Sequence, residues 1–352
     1  FNAPDRDLDM TVSWGVFDFS SPGFVYRFVK GETDYMAVGY PYDYFIEKNS
    51  ADGRRVTSQK LNLLPHEAEL LLQLALRNIE PQNRVYRYNY VKDNCATRPL
   101  ALVEKAIGGT LSHPGDTLTT CTWRSEMARY HANYPWYQFG IDLALGSGID
   151  KRLTAREKCY APYYLREFIG GATRPDGEPI VTESNKLIMS GTPDGTPDSP
   201  TPWYLTPMFV ARILLTITIM TAWHDIKRRQ PSRGLYTLLY GVSTIEGLVL
   251  TYLIFVSTHE ATSPNWLYLW LNPLCIIGAI GVWLKKHNRV VYFYQIVNFA
   301  ALIALIVIGA TGVQHLNHAS YLLIACNLIT AGEYIYLNNR CQTKSTSPSK
   351  AA

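Results

Sequence analysis

The chain is 352 residues long, 47% hydrophobic by residue type, and carries a formal net charge of +4. That length leaves room for two domains, and a charge so mild and scattered excludes a nucleic-acid footprint. The six cysteines form no CxxC pair and no Cys/His cluster, which argues against a zinc site or a disulfide scaffold, so no metal or other cofactor is expected.

Acidic residues fall almost wholly before about residue 200 and long apolar runs almost wholly after it. The division predicts an outer domain over 1–189, a linker over 190–202, a membrane domain over 203–339 and a tail over 340–352. Met10–Phe17, Phe24–Lys30, Tyr35–Glu47 and Arg54–Leu63 are aromatic and β-branched and read as strands. Ser20-Ser21-Pro22-Gly23, Gly31 and Asp52-Gly53 separate them. Pro65–Ile79 sets leucines at 70, 71, 74 and 76, the spacing of an amphipathic helix.

From Arg84 onward, Tyr86, Tyr88 and Tyr90 alternate with other residues, as in a half-buried strand. The run breaks at Asp93-Asn94-Cys95. Asp93 and Asn94 are N-cap types, and the apolar pattern Leu100, Leu102, Val103, Ile107 leads to a stop at Gly108-Gly109. Pro99 falls in the first turn, where its missing N–H costs little. A helix is therefore expected to begin on Cys95. Free N–H groups and the helix dipole there favour thiolate over thiol and could hold an oxyanion. Cys95 is the candidate nucleophile, with Asp93 and Asn94 positioning its helix. Arg98, one turn on, either contacts a phosphate or anchors the helix.

Beyond this helix, Pro135-Trp136 and Gly140–Asp150 read as loop-rich and Thr154–Phe168 as partly helical. Arg174-Pro175-Asp176-Gly177 reads as a turn between two short strands. Ser190–Pro202 has no packing pattern and reads as a tether. Cys121 and Cys159 lie on the outer side, so a disulfide between them is open.

Five apolar runs follow, near Trp203–Trp223, Leu235–Val256, Trp266–Leu284, Val290–Ala310 and Leu316–Leu337. Each is about 20 residues, the length a helix needs to cross a bilayer. Lys227, Arg228, Arg229 and Arg233 lie between the first two, and Lys285, Lys286 and Arg289 between the third and fourth. Ser257–Asn265 and Thr311–His315 carry no Lys or Arg. The positive-inside rule then places the basic loops and the tail in the cytoplasm and the first 200 or so residues outside. Arg212 and Glu246 fall at comparable depth in the first two spans. They read as a structural bridge, or Arg212 as a contact for a lipid phosphate. Glu333 is expected at the inner interface. The outward loops gather polar groups, and His259, Asn265 and His315 join Arg212 as candidates to face substrate.

A sheet first and a cysteine-started helix late is the order of the permuted papain-like folds, and Asn94-Cys95 resembles the pair of the NlpC and lecithin–retinol acyltransferase group. The whole chain more specifically resembles the bacterial lipoprotein N-acyltransferases of the Lnb type. The resemblance rests on Trp14-Gly15-Val16-Phe17-Asp18-Phe19 with Pro22 and Phe24, on Gln59-Lys60-Leu61-Asn62-Leu63, and on Tyr88 through Asp93-Asn94-Cys95-Ala96-Thr97-Arg98. Pro135-Trp136, Gly140-Ile141-Asp142-Leu143 and Gly146 follow, then His259 to Asn265 and Asn272-Pro273. Trp14 departs from it, standing where tyrosine is expected.

The resemblance implies an α+β protein, with a permuted papain-like outer domain followed by an all-α membrane domain of five helices. It implies that Cys95 takes an acyl chain from a membrane phospholipid as a thioester and passes it to the α-amine of a diacylated lipoprotein. Asp93, Asn94, Arg98 and Asp18 would support that chemistry. It also implies a general-base histidine on an early strand, expected upstream of Phe1; only His66 precedes Cys95 in the chain. The implied location is the bacterial inner membrane, with the first domain periplasmic. Two alternatives remain: a thiol hydrolase acting on phospholipid or cell wall, and a non-enzymatic membrane receptor in which Cys95 is structural.

Overall fold

The computed structural model describes residues 1–3, 6–188, 200–284 and 289–345. Most of the expected linker, Lys285 and Lys286, and the end of the tail lie outside the described residues. Two compact units emerge: Phe1–Thr122 with Arg152–Asp198, and Trp123–Lys151 with Ser199–Ala352.

In the first unit the elements are β1 (Asn2–Ala3), β2 (Leu8–Val16), α1 (Phe24–Lys30), β3 (Asp34–Pro41), α2 (Tyr42–Ala51), β4 (Val56–Leu61), α3 (Pro65–Ile79), β5 (Val85–Arg87), α4 (Thr97–Ala106) and β6 (Leu118–Thr122). In the second unit come α5 (Trp123–Tyr130) and α6 (Pro135–Ala144). The chain then returns to the first through β7 (Arg152–Thr154), α7 (Pro162–Gly171) and β8 (Val181–Ile188).

The first unit holds an antiparallel four-stranded sheet of order β1-β2-β3-β5 and two separate antiparallel ribbons, β4–β8 and β6–β7. Helix α3 brings Leu71 to a core shared with Leu100 and Val103 of α4 and Phe168 and Ile169 of α7. Ala75, on the same helix, packs instead with Trp14, Ala37 and Tyr86 under the sheet. A buried ion pair ties α3 to the Arg174 turn. Glu67 takes two bonds from the Arg174 guanidinium, at 2.7 and 2.9 Å, and a third from the Leu64 N–H. Those donors hold the Glu67 carboxyl below its usual range.

Three local readings are corrected. Phe24–Lys30 is helix α1, because Gly23 and Gly31 in left-handed conformations (φ 69° and 80°) start and stop a short turn of helix that β-branched composition had suggested as strand. Tyr35–Glu47 divides at Pro41, which ends β3 and opens α2, since proline cannot donate to a ladder but suits a helix start. Pro135-Trp136 and the first part of Gly140–Asp150, read as loop-rich, belong to helix α6 (Pro135–Ala144), with Pro135 at its first position.

The second unit adds α8 (Pro207–Arg228), α9 (Arg233–Phe255), α10 (Ile276–Gly281), α11 (Arg289–Ala310) and α12 (His318–Ser345). Four of these are long and apolar enough to cross a membrane: α8, α9, α11 and α12. The third apolar run is broken rather than a continuous helix, made of 3-10 turns at Trp266–Leu269 and Pro273–Cys275 followed by α10. Asn265 and Asn272 each start a fresh turn by accepting from Leu267 N and Leu274 N, both at 3.1 Å, and Pro273 lacks a donor of its own. The broken run nonetheless follows α9 end to end. Thr251 bonds the Tyr268 hydroxyl toward one end, and Thr237 bonds Ala279 O at the other. Midway, Gly247 lies so close to the backbone of Asn272 that no Cβ would fit.

Candidate active site

Cys95 follows a strand, a tight loop and a cap, each with a visible cause. Asn89 closes the loop by accepting from Val91 N and Lys92 N, and pairs through its backbone with Asp93. Asn94 is 2% exposed and every polar atom of its amide is used. Its Oδ1 accepts from Ala96 N (2.8 Å) and Thr97 N (3.0 Å), while its Nδ2 donates to Tyr90 O (2.7 Å) and Tyr160 O (2.9 Å). The Thr97 hydroxyl accepts from Asn94 N at 2.8 Å, and the Asn94 carbonyl accepts from Arg98 N at 3.1 Å. Regular helix starts at Thr97, yet these bonds make Asn94 the working cap and put Cys95 in the first turn.

Arg98 anchors this turn. Its guanidinium makes two bonds to Asp93, at 2.6 and 2.8 Å, and lies 3.6 Å from the centroid of the Tyr86 ring. Asp93 and Arg98 therefore brace the helix start. Asp18 stands on the exposed loop after β2, where it accepts from the Ser20 N–H and hydroxyl, and those bonds hold its carboxyl below the usual range. It shapes the turn that leads into α1.

The Cys95 side chain reaches the surface. Gly15 of β2 is its neighbour: a Cβ at Gly15 would stand 3.4 Å from Cys95 Cβ and 3.9 Å from its Sγ. Tyr35, Tyr86 and Tyr88 lie within the electrostatic reach of the thiol. The alternating tyrosines of 86–90 signalled a half-buried strand; that Tyr86 and Tyr88 share the electrostatic surroundings of Cys95 with Tyr35 was not legible, because β3 brings Tyr35 opposite Tyr86 only on pairing. The Tyr35 and Tyr88 rings stack 3.9 Å apart, and Phe17 stacks on Tyr35 at 4.7 Å. The Tyr86 hydroxyl donates to the Trp14 carbonyl, and Trp14 Nε1 donates to Asn78.

The expected lowering of the Cys95 pKa is not met. Burial pushes the thiol up, opposed by its own backbone N–H. The regular turns of α4 start two residues later, at Thr97, and burial prevails over the backbone N–H. His66 is exposed at the start of α3. The disulfide does not form: Cys121 and Cys159 are both free, with Cys159 sealed among Leu111, Phe168 and Ile169 and its thiol pushed up to about 12 by that burial.

In the second unit the polar motifs serve a different purpose. Arg124, 3% exposed, pairs with Asp150 at 2.7 Å and Asp142 at 3.1 Å and donates to the carbonyls of Leu145 and Gly146. Asp142 also takes Gln138 and Asn317, and Asp150 takes the backbone N–H of His315. Asn265 is buried, donating to Leu143 O at 2.8 Å and accepting from Gln314 and Leu267. Gly146 packs on Pro264 without room for a Cβ. The motif residues of 135–146 and 259–265 are thus one interlocked joint. Among the residues expected to face substrate, His315 and Arg212 are exposed and His259 is half-buried.

Arg212 and Glu246 form no ion pair, because α8 lies mainly along α12 rather than α9. Glu333, expected at an interface, is 5% exposed.

Two family models match the chain. One, described as the Lnb N-terminal periplasmic domain, covers residues 1–126; the other, the Lnb transmembrane domain, covers residues 199–342. No curated protein and no solved structure matches it.

Proposed function

We propose that this chain, which belongs to the Lnb family, is a cysteine-dependent acyltransferase that completes lipoproteins at the outer face of the cytoplasmic membrane. Cys95 sulfur attacks an ester carbonyl of a membrane phospholipid. A C–S bond forms, the C–O bond breaks, and the lysophospholipid leaves with the thiol proton. The α-amine of a diacylglyceryl-cysteine then attacks the thioester, forming the amide and returning the proton to sulfur. Two steps through a thioester replace one slow aminolysis of an ester. The observation that carries this reading is a surface-reaching cysteine in the first turn of a helix capped by a fully engaged Asn94, beside the bare backbone of Gly15. N–H groups at that helix start are suited to an oxyanion.

Both substrates live in a bilayer, which gives the apolar helices of the second unit their purpose. The basic residues Lys227, Arg228 and Arg229 at the end of α8 favour a cytoplasmic position there, which puts the cysteine unit and the joint of 135–146 on the opposite side. With that orientation the C-terminus is cytoplasmic.

The test is lipoprotein mass spectrometry in a host lacking any other N-acyltransferase. With the intact protein, lipoproteins carry a third acyl chain as an amide. Cys95→Ser should leave them with a free α-amine and lighter by one chain, since serine lacks the nucleophilicity and leaving-group quality of a thiolate. An unchanged spectrum refutes the thioester route, and release of free fatty acid without amide formation identifies a hydrolase instead.

A further inference from the structure

Aromatic rings run in file away from the nucleophile. Tyr88, within the field of the Cys95 thiol, stacks on Tyr35 at 3.9 Å; Tyr35 stacks on Phe17 at 4.7 Å; Phe17 stacks on Phe24 at 5.8 Å. Phe19 closes the far end, 4.5 Å from Phe17 and 4.9 Å from Phe24. The inner rings are buried or half-buried, whereas Phe19 is 72% exposed and Val25, next to Phe24, is 73% exposed. Gly15, two residues before Phe17 on the same stretch of chain, lies against the Cys95 side chain, so the file runs from the neighbourhood of the cysteine to open apolar side chains. The sheet builds its inner half, through β3 paired with β5, and the turn held by Asp18 builds its outer half.

We propose that this file is the binding track for the acyl chain carried on Cys95, with the carbonyl at the sulfur and the chain lying along Tyr35, Phe17 and Phe24 toward Phe19 and Val25. The inference rests on the acyl-thioester reading above. An occupant that follows the rings has its head at the nucleophile, which fits a thioester-linked hydrocarbon and fits neither a peptide nor a flat bilayer surface. The rings offer apolar contact along the whole length and no hydrogen-bonding group beyond the two tyrosines, the complement of a chain that is polar only at its carbonyl. Each methylene moved from water onto such a surface is worth about fourfold in affinity. The open end lets a chain enter from a lipid layer and explains why Phe19 and Val25 are left exposed.

The experiment uses the full chain in vesicles of phosphatidylethanolamine bearing either octanoyl or palmitoyl chains, with the acyl adduct on Cys95 read by intact mass. The variant is Phe19→Ser with Val25→Ser, at exposed positions. The palmitoyl adduct should fall about tenfold, the worth of fewer than two methylenes, while the octanoyl adduct is unchanged and reports an intact fold. Equal loss of both adducts, or loss of neither, overturns the track. As a second readout, a palmitoyl phospholipid with a diazirine at its terminal carbon is photolysed on Cys95→Ala. Label in the peptide spanning Phe17–Phe28 supports the track, and label elsewhere overturns it. If the wild-type protein forms no adduct while this label appears, the chain site stands and the acyl-transfer reading falls.

Discussion

Gly15 and Cys95 face one another across the junction of β2 and α4, so close that a Cβ on Gly15 would lie 3.4 Å from the cysteine Cβ. The glycine is needed here for space at the thiol rather than for backbone freedom. Gly15→Ala should be tolerated, its methyl in ordinary contact. Gly15→Val should lower acyl transfer about a hundredfold with little loss of stability, because its branches crowd the sulfur and displace the attacking geometry. Initial rates of lipoprotein N-acylation measure it, and a fully active valine variant would show that the carbonyl approaches from elsewhere.

The Cys95 thiol is pushed above its ordinary value by burial. Only the thiolate reacts, so the neutral thiol dominates at pH 7 and the reactive fraction grows as pH rises. Alkylation of Cys95 by iodoacetamide is expected to keep accelerating beyond about pH 8.5, the reference value for a free cysteine. A rate already level at pH 7 would mean a depressed pKa and contradict this.

Asn94→Ala removes the cap from α4 and leaves the carbonyls of Tyr90 and Tyr160 without their donor. The expected cost is about 2–3 kcal/mol, from a lost cap plus unsatisfied buried groups. Asn94→Asp keeps the acceptor but not the donor and should fall between. Thermal unfolding of the first unit, followed with Cys95 alkylation as the local probe, separates these outcomes; a variant as stable as the parent would remove Asn94 from this role.

For the second unit, Asp142→Ala takes away one of two carboxylates holding a buried arginine. About 3 kcal/mol should be lost, as for other broken buried pairs. Asn317→Ala, which removes a single neutral donor to Asp142, should cost about 1 kcal/mol. Melting temperatures in detergent test the order, and an Asp142 variant no less stable than the Asn317 variant would refute the joint.

Local pattern alone determined several things about this protein. The period of Pro65–Ile79 fixed α3, the apolar run lengths fixed α8, α9, α11 and α12, and the Asp-Asn-Cys break singled out Cys95 as the candidate nucleophile. The quoted motifs also pointed to the family whose models match. These are short-range signals, carried by residues within a turn or a strand of one another. Tertiary structure decided the rest. Trp123–Lys151 packs with the membrane helices because Asp142 meets Asn317 and Asn265 meets Leu143, pairings more than a hundred residues apart. Arg98 took its role as an anchor from Tyr86 on β5, and Cys95 took its raised pKa from burial that the helix-start pattern cannot report. Charges and thiols answer to whatever the fold places beside them, and periodicity records only which face of an element is apolar.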